Sequence, residues 1–125
     1  MLRIATIGTS MITDDFIQVV NANDQAVFVG TLSRDANRGA AFTAERDGER
    51  NFTSLDELAA AADVDAVYIG SPNALHYEQA LACIAGGKHV IVEKPFCATE
   101  AQALEVFRAA EAAGVVALEA MRPLH

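Results

Sequence analysis

The chain alternates between short apolar runs and longer segments in which apolar residues recur at helical spacing. Five short runs are predicted strands, at residues 2–7, 26–32, 66–70, 90–92 and 115–120. Regular alternation of strand and helix predicts right-handed crossovers and a parallel sheet that is covered on both faces. The predicted fold class is therefore α/β, with a doubly wound, mainly parallel sheet of the nucleotide-binding type.

Capping signals place the predicted helix boundaries. Residues 54–57, Ser-Leu-Asp-Glu, form a capping box that opens one helix, and Thr99 begins a second box. Asn73 is predicted to cap a helix that begins directly after it and stops at the glycines 86–87. Gly114 ends the last helix. Neither a linker nor a repeat interrupts the pattern, so a single domain is expected.

Composition agrees with one domain over residues 1–125. Hydrophobic residues make up 52% of the chain and aromatic residues only 6%, so we expect a core of Ala, Val, Ile and Leu between helices and sheet. The formal net charge is −8 and the pI is about 4.7. Such a charge repels phosphate backbones and anionic lipid surfaces, which argues against nucleic-acid and membrane partners.

The cysteines and the apolar runs indicate a reducing, cytoplasmic location. Cys83 lies in a helical pattern and Cys97 in a turn, and two unclustered cysteines fit neither a disulfide scaffold nor a zinc site, so no metal is predicted. No run approaches the roughly eighteen apolar residues that a membrane helix requires, and residues 1–6 carry no basic leader. We expect a native cytoplasmic start at Met1.

The first turn after a strand matches the dinucleotide-binding fingerprint in part. Only Gly8 fits, because Ser10 and Thr13 stand where the second and third glycines would be. Ser10 is small enough to admit a pyrophosphate, and the amides at the start of the following helix would bind it. The predicted cofactor contacts here are Gly8, Thr9, Ser10, Met11 and Ile12. The alternative is that Gly8 only permits a tight turn.

A turn predicted over residues 33–37 bears on the choice of nucleotide. NAD-binding folds usually present an acidic residue to the adenosine ribose at this point, whereas this chain presents Ser33, Arg34 and, close behind, Arg38. A guanidinium offers planar donors to a 2′-phosphate, so the predicted cofactor is NADP, with NAD as the alternative. Asp35 can still reach a ribose hydroxyl, or the group can be a solvated charge cluster at a helix start.

A proline-fixed turn follows the predicted strand at residues 66–70. Ser71, Pro72 and Asn73 can line a flat cofactor ring or a ribose at the ligand edge of the sheet. His76 lies one turn into the next helix and is a candidate general acid. The alternative for His76 is packing or support of another group, which is the more common role of such a histidine.

The tripeptide Glu93, Lys94 and Pro95 follows the apolar run at residues 90–92 and is the most informative feature of the chain. Lys94 can clamp a hydroxyl or carbonyl oxygen, or donate a proton if a partly desolvated cleft lowers its pKa. Glu93 can instead pair with Lys94 as a surface ion pair before a turn proline. The place of Lys94 at the end of a buried strand favours a role in chemistry.

Taken together, these turns resemble the glucose-fructose oxidoreductase, inositol dehydrogenase and rhizopine-catabolism oxidoreductase (Gfo/Idh/MocA) family. The specific part is the segment 87–95, which contains Gly-Lys-His-Val and Glu-Lys-Pro, and the block at residues 65–76 agrees with it. The resemblance implies a Rossmann-type domain that binds NAD or NADP. It also implies an enzyme that transfers a hydride between nicotinamide and a small sugar, polyol or related hydroxyl or carbonyl substrate.

The resemblance assigns roles to individual residues. Lys94 is implied to contact substrate and to assist proton transfer. The turn at residues 71–73 and His76 are implied to lie by the cofactor. Further cofactor contacts are predicted at Glu93, Lys94, Pro95 and Arg122.

Two departures from the family pattern matter. The fingerprint keeps one glycine of three, which leaves the geometry of the pyrophosphate contact open. Family members also continue into a second, α+β domain that forms the substrate wall, whereas this chain stops at His125. We expect a fragment of a longer enzyme, inactive alone and homo-oligomeric through the missing domain. Two alternatives stay open: a non-catalytic dinucleotide-binding sensor or assembly module, and, by fold analogy alone, another nucleotide binder.

Overall fold

The structure is a computed structural model that describes residues 2–8, 11–33, 35–46, 48–70, 75–93 and 99–120. Strands and helices alternate throughout this part of the chain. In chain order the elements are β1 (Leu2–Ile7), α1 (Met11–Asn21), β2 (Ala26–Leu32), α2 (Ala36–Glu45), β3 (Arg50–Phe52), α3 (Leu55–Ala60), β4 (Ala66–Ile69), α4 (His76–Ala85), β5 (His89–Glu93), α5 (Glu100–Ala113) and β6 (Ala117–Ala120).

The strands form one parallel sheet in the order β3-β2-β1-β4-β5-β6. The predicted doubly wound fold is therefore confirmed. The strand order reverses between β1 and β4, because β1 leads outward to β2 and β3 while β4 leads to β5 and β6. Open α/β sheets bind ligands at the carboxyl ends of the strands beside such a reversal. Topology alone thus marks the carboxyl edge of β1 and β4 as the place to look for a site.

Each face of the sheet packs against its own set of helices. On one face, residues of β1 and β2 pack with α1 and α2 in a core that contains Ile4, Ile17, Val20, Phe28 and Phe42. On the other face, α3, α4 and α5 complete a larger core. Burial on both faces explains why β4 and the second half of β1 are continuous, mainly apolar runs rather than alternating ones.

The structure contains a strand that the sequence pattern did not predict. In β3, only Phe52 is buried, while Arg50 and Asn51 are partly exposed. No apolar run marks such a segment. β3 exists because its backbone pairs with residues 30–32 of β2, a contact between distant parts of the chain.

Three of the predicted helix boundaries are confirmed by their hydrogen bonds. The Ser54 hydroxyl accepts a bond from the Glu57 amide, and the Thr99 hydroxyl accepts one from the Gln102 amide, each at 3.1 Å. Gly114 ends α5 in the left-handed conformation, with φ of 73°. These boundaries depend on contacts within a few residues, so the sequence alone determines them.

The turn predicted over residues 33–37 is too long. Helix α2 begins at Ala36, inside that turn, because Asp35 caps it. The carboxylate of Asp35 accepts bonds from the amides of Asn37 at 3.0 Å and Arg38 at 3.2 Å. Of the alternatives for Asp35, the helix-start role is the one with a described contact.

Helix α4 begins within two residues of its predicted start at about residue 74, which itself lies outside the described residues. The helix begins at His76, and Leu75 holds the cap position without a side-chain cap bond. Asn73, the predicted cap, lies outside the described residues. His76, the first residue of the helix, is fully buried.

The segment Gly87-Lys88-His89 stabilises the edge of the sheet opposite the candidate site. Lys88 is 7% exposed, and its ammonium group donates a hydrogen bond to the carbonyl oxygen of Ala61, which ends α3. The ring nitrogen Nδ1 of His89 accepts a bond from the Val116 amide at 3.0 Å. The two halves of the family signature therefore lie at opposite ends of β5, and this half has a structural role.

Candidate functional site

Predicted site residues that the structure describes lie along the carboxyl edge of the sheet. Gly8 follows β1, Ser33 follows β2 and Glu93 ends β5. Met11 and Ile12 form the start of α1, while Arg38 and His76 lie in the first turns of α2 and α4. The remaining predicted residues lie outside the described part of the chain: Thr9, Ser10, Arg34, Ser71, Pro72, Asn73, Lys94, Pro95 and Arg122.

Gly8 is held in a conformation that other residues rarely adopt. Its φ is 104°, which favours glycine because a Cβ atom would clash with the backbone. Its amide donates to the Leu32 carbonyl at 2.9 Å, and its carbonyl accepts from the Thr31 hydroxyl at 3.1 Å. Helix α1 begins three residues later, at Met11. The strand, glycine turn and helix that a pyrophosphate site requires are therefore present.

A buried pair of threonines, Thr6 and Thr31, holds the backbone at Gly8 in place through hydrogen bonds. The hydroxyl of Thr6 lies 2.8 Å from that of Thr31, and both side chains are fully buried. The Thr31 hydroxyl also lies 3.1 Å from the Thr6 carbonyl oxygen. These contacts join the carboxyl ends of β1 and β2, so the backbone beneath the candidate phosphate site is tied to its neighbour.

Gly70 supplies the space that the third fingerprint glycine usually gives. That glycine normally allows close packing between helix and strand, and here its position is taken by Thr13, which is fully buried in α1. A Cβ atom on Gly70 would lie 2.4 Å from Oγ1 of Thr13. The close approach is therefore preserved with the glycine on the strand side. The departure from the fingerprint at this position does not prevent the packing.

This arrangement makes a prediction about paired substitutions. Gly70→Ala is expected to destabilise the domain by about 1–3 kcal/mol, because the new methyl group must displace the Thr13 side chain. Thr13→Ala removes the obstructing oxygen, so in that background Gly70→Ala is expected to cost less. Urea unfolding of the wild type, both single variants and the double variant measures the coupling. Strictly additive losses of stability would contradict the conclusion that Gly70 leaves space for the Thr13 side chain.

The edge at β2 presents a positive charge. Arg38 is exposed on the first turn of α2 and, among the described residues, forms no ion pair. Ser33 is half-buried directly after β2, and its hydroxyl accepts a weak bond from the Asp35 amide at 3.4 Å. An exposed guanidinium with no ion pair to the described residues can bind a phosphate.

Glu93 at the end of β5 is bound by a residue that the sequence analysis missed. The Tyr68 hydroxyl donates a hydrogen bond to the Glu93 carboxylate. Tyr68 is 2% exposed, and its ring stacks on that of Phe16 in α1 with 4.1 Å between centroids. The only sequence signal was a tyrosine in an otherwise aliphatic strand. The described partner of Glu93 is therefore Tyr68, and pairing with Lys94 remains an untested alternative.

His76 is fully buried at the start of α4. Such burial agrees with the packing alternative that the sequence left open. A general acid must contact its substrate, and the His76 side chain has no exposed surface in the structure through which it could contact a ligand. A catalytic role for His76 therefore remains a prediction from the sequence.

The described residues contain neither a metal cluster nor a reactive thiol. No group of three or more His, Cys, Asp or Glu side chains in this part of the chain is placed to hold a metal ion. Burial raises the pKa of the Cys83 thiol to about 12, which keeps it protonated and unreactive. None of the described helices is both long enough and apolar enough to span a bilayer.

Comparison with known proteins agrees with this arrangement. A family model described as oxidoreductase family, NAD-binding Rossmann fold (GFO_IDH_MocA) matches residues 2–120. The chain is 43% identical to scyllo-inositol 2-dehydrogenase (NADP(+)) IolU of Bacillus subtilis, over 98% of this chain and 37% of that protein. It is 44% identical to 1,5-anhydro-D-fructose reductase of Ensifer adhaerens, over 93% of this chain and 35% of that protein. The chain thus spans little more than a third of these relatives.

Solved structures share the fold. KijD10, a 3-ketoreductase from Actinomadura kijaniata solved with NADP and TDP-benzene, superposes with a TM-score of 0.89 at 30% identity, over 94% of this chain and 37% of that one. GenD2 from gentamicin A biosynthesis, solved with NAD, gives a TM-score of 0.89 at 29% identity, over 94% of this chain and 34% of that one. The resemblance inferred from the turns is confirmed, and the chain belongs to the Gfo/Idh/MocA oxidoreductase family, of which it forms the NAD(P)-binding Rossmann domain.

Proposed function

We propose that this domain binds NADP(H) across the carboxyl edge of β2, β1, β4 and β5, and that it serves hydride transfer to or from a small sugar, polyol or related substrate. The observation that carries the proposal is the left-handed Gly8 turn at the strand-order reversal, followed directly by α1. The pyrophosphate would lie against this turn and the first amides of the helix.

The topology orients the coenzyme. The adenosine ribose of a dinucleotide lies near the end of β2 in such folds, so the nicotinamide half extends past the reversal towards β4 and β5. Glu93 lies at that end of the sheet, directly before the predicted proton-transfer residue Lys94. The nicotinamide supplies the hydride donor or acceptor, and this chain's residues bind the coenzyme and place a lysine beside the substrate.

Two observations favour NADP over NAD. The exposed Arg38 and the Ser33 hydroxyl offer donors to a 2′-phosphate, and Arg34, next to Ser33 in the sequence, is predicted to add a second guanidinium. The relative from B. subtilis is named as NADP-dependent, and KijD10 was solved with NADP. NAD remains the alternative, since GenD2 was solved with NAD.

The remaining inferences concern the whole protein. Because the chain spans only 37% of the IolU length, we infer that these 125 residues act within a longer enzyme whose other part forms the substrate wall and the homo-oligomer interface. The relatives are named for inositol, anhydrofructose and other small molecules, which supports a polyol or sugar substrate. The buried, protonated Cys83 thiol is compatible with a reducing cytoplasm.

Coenzyme titration tests the proposal directly. Arg34→Ala is expected to weaken NADPH binding about 10–100-fold, the equivalent of one charge-assisted contact, while NADH binding changes little. Calorimetry with both coenzymes measures the difference. Arg108→Ala is the matched control, since it removes the same charge from the exposed face of α5. Equal losses for NADPH and NADH would discard the 2′-phosphate assignment, and a wild-type chain that binds neither would overturn the proposed function.

A further inference from the structure

Tyr68 connects two parts of the candidate site that lie far apart in the sequence. Its ring stacks on Phe16 of α1 with an interplanar angle of 13°, and its hydroxyl donates to the carboxylate of Glu93, 25 residues further along the chain. One side chain thus contacts the helix that begins at the phosphate turn and the end of the strand that leads to Lys94.

The register of the sheet explains how one residue reaches both. Tyr68 pairs with Thr6 of β1 and Ile91 of β5, so all three side chains lie on the same face of the sheet. That face is covered by α1, which brings Phe16 onto the ring. Glu93 lies two residues beyond Ile91 and so projects from the same face, at the carboxyl end that the tyrosine hydroxyl points towards.

We propose that Tyr68 is a positioning residue for the nicotinamide half of the coenzyme site, acting through the hydrogen bond that fixes Glu93. This inference rests on the proposed coenzyme binding. Phenylalanine would fill the same buried volume and stack equally well on Phe16, so the packing does not require the hydroxyl. The hydroxyl holds a carboxylate at the last residue of β5, at the carboxyl edge where the nicotinamide half is proposed to lie.

The location of the bond predicts which part of the coenzyme depends on it. The adenosine end belongs to the β2 side of the sheet, two strands away from β4, so it does not contact Tyr68 or Glu93. The nicotinamide end extends over β4 and β5. Loss of the bond is therefore expected to affect nicotinamide binding and to leave binding of the phosphorylated adenosine half intact.

Tyr68→Phe in the 125-residue chain tests the inference with two ligands. NADPH binding is expected to weaken about tenfold, the size of one hydrogen bond to a charged group. Binding of 2′-phospho-ADP-ribose, which lacks the nicotinamide, is expected to stay unchanged. NADPH fluorescence adds a second readout, because it reports on the surroundings of the nicotinamide ring. If Tyr68 had a merely structural role, Tyr68→Phe would weaken the binding of both ligands alike.

The chain offers a matched control in its second tyrosine. The Tyr77 hydroxyl also donates to a carboxylate, that of Glu105, but this bond joins α4 to α5 on the outside of the domain. Tyr77→Phe removes the same kind of bond and is expected to leave both ligand affinities unchanged. A further control is Glu93→Ala: in that background Tyr68→Phe is expected to have no additional effect on coenzyme binding, because the bond between the two side chains is already absent.

The outcomes separate this inference from the proposed function. A wild-type chain that binds neither ligand overturns both. If the wild type binds NADPH but Tyr68→Phe changes the two ligands equally, or changes neither, the positioning role is wrong while the coenzyme site stands. Selective loss of NADPH that persists unchanged in the Glu93→Ala background would show that Tyr68 does not act through Glu93, and would also overturn the inference.

Discussion

Gly86→Ala is expected to lower the free energy of unfolding by more than about 3 kcal/mol. This is a large share of the roughly 5–15 kcal/mol by which a typical domain is stable. Gly86 ends α4 where this helix meets α3, and a Cβ atom there would lie 2.0 Å from the carbonyl oxygen and 2.8 Å from the carbonyl carbon of Ala59. Both are backbone atoms of α3, so the clash can be relieved only by moving one helix away from the other. Urea unfolding followed by circular dichroism measures the loss.

The neighbouring glycine provides the control for that experiment. Gly87 has φ of 81°, and no atom lies within 4 Å of a Cβ atom built on it. Gly87→Ala is therefore expected to cost only the strain of a left-handed alanine, about 1–2 kcal/mol. Similar losses for the two variants would mean that the approach of α3 to α4 is not what requires glycine at position 86.

The two lysines of the chain are expected to respond in opposite ways to the same substitution. Lys94→Met, in a polypeptide that also carries the substrate domain, is expected to reduce turnover by about 10²–10⁴-fold, the usual contribution of a general acid or base. The melting temperature and the coenzyme affinity are expected to stay close to those of the wild type. Turnover is followed by nicotinamide absorbance, with a polyol or sugar that the wild type converts. Retained turnover would remove Lys94 from the mechanism.

Lys88→Met is the counterpart at the other end of β5. Methionine keeps the length of the side chain but leaves the buried carbonyl of Ala61 without its ammonium partner, which is expected to cost about 1–3 kcal/mol of stability. Turnover per folded molecule is expected to remain unchanged, because Lys88 precedes β5 at the edge away from the site. A loss of turnover without a loss of stability would contradict the structural role.

The fold class and most element boundaries could be predicted because they depend on local signals. Each strand of the sheet except β3 is mainly apolar, and Ser54, Thr99 and Gly114 act through bonds to residues within one turn. The glycine turn after β1 and the family signature were recognisable for the same reason, since their information lies in consecutive residues. The prediction of the turn after β2 was less accurate, because Asp35 caps helix α2 and the turn therefore ends before Ala36.

The contacts that shape the candidate site were decided only by tertiary structure. Tyr68 contacts Glu93, 25 residues away, and Lys88 contacts Ala61, 27 residues away. Gly70, directly after β4, leaves space for Thr13 of α1. Such pairs leave no periodic pattern in the sequence, because their members are distant along the chain and are brought together only by the register of the folded sheet. By itself the sequence determined which elements form and which turns carry chemistry. Which side chains support those turns depended on strand order and register, which are properties of the assembled sheet.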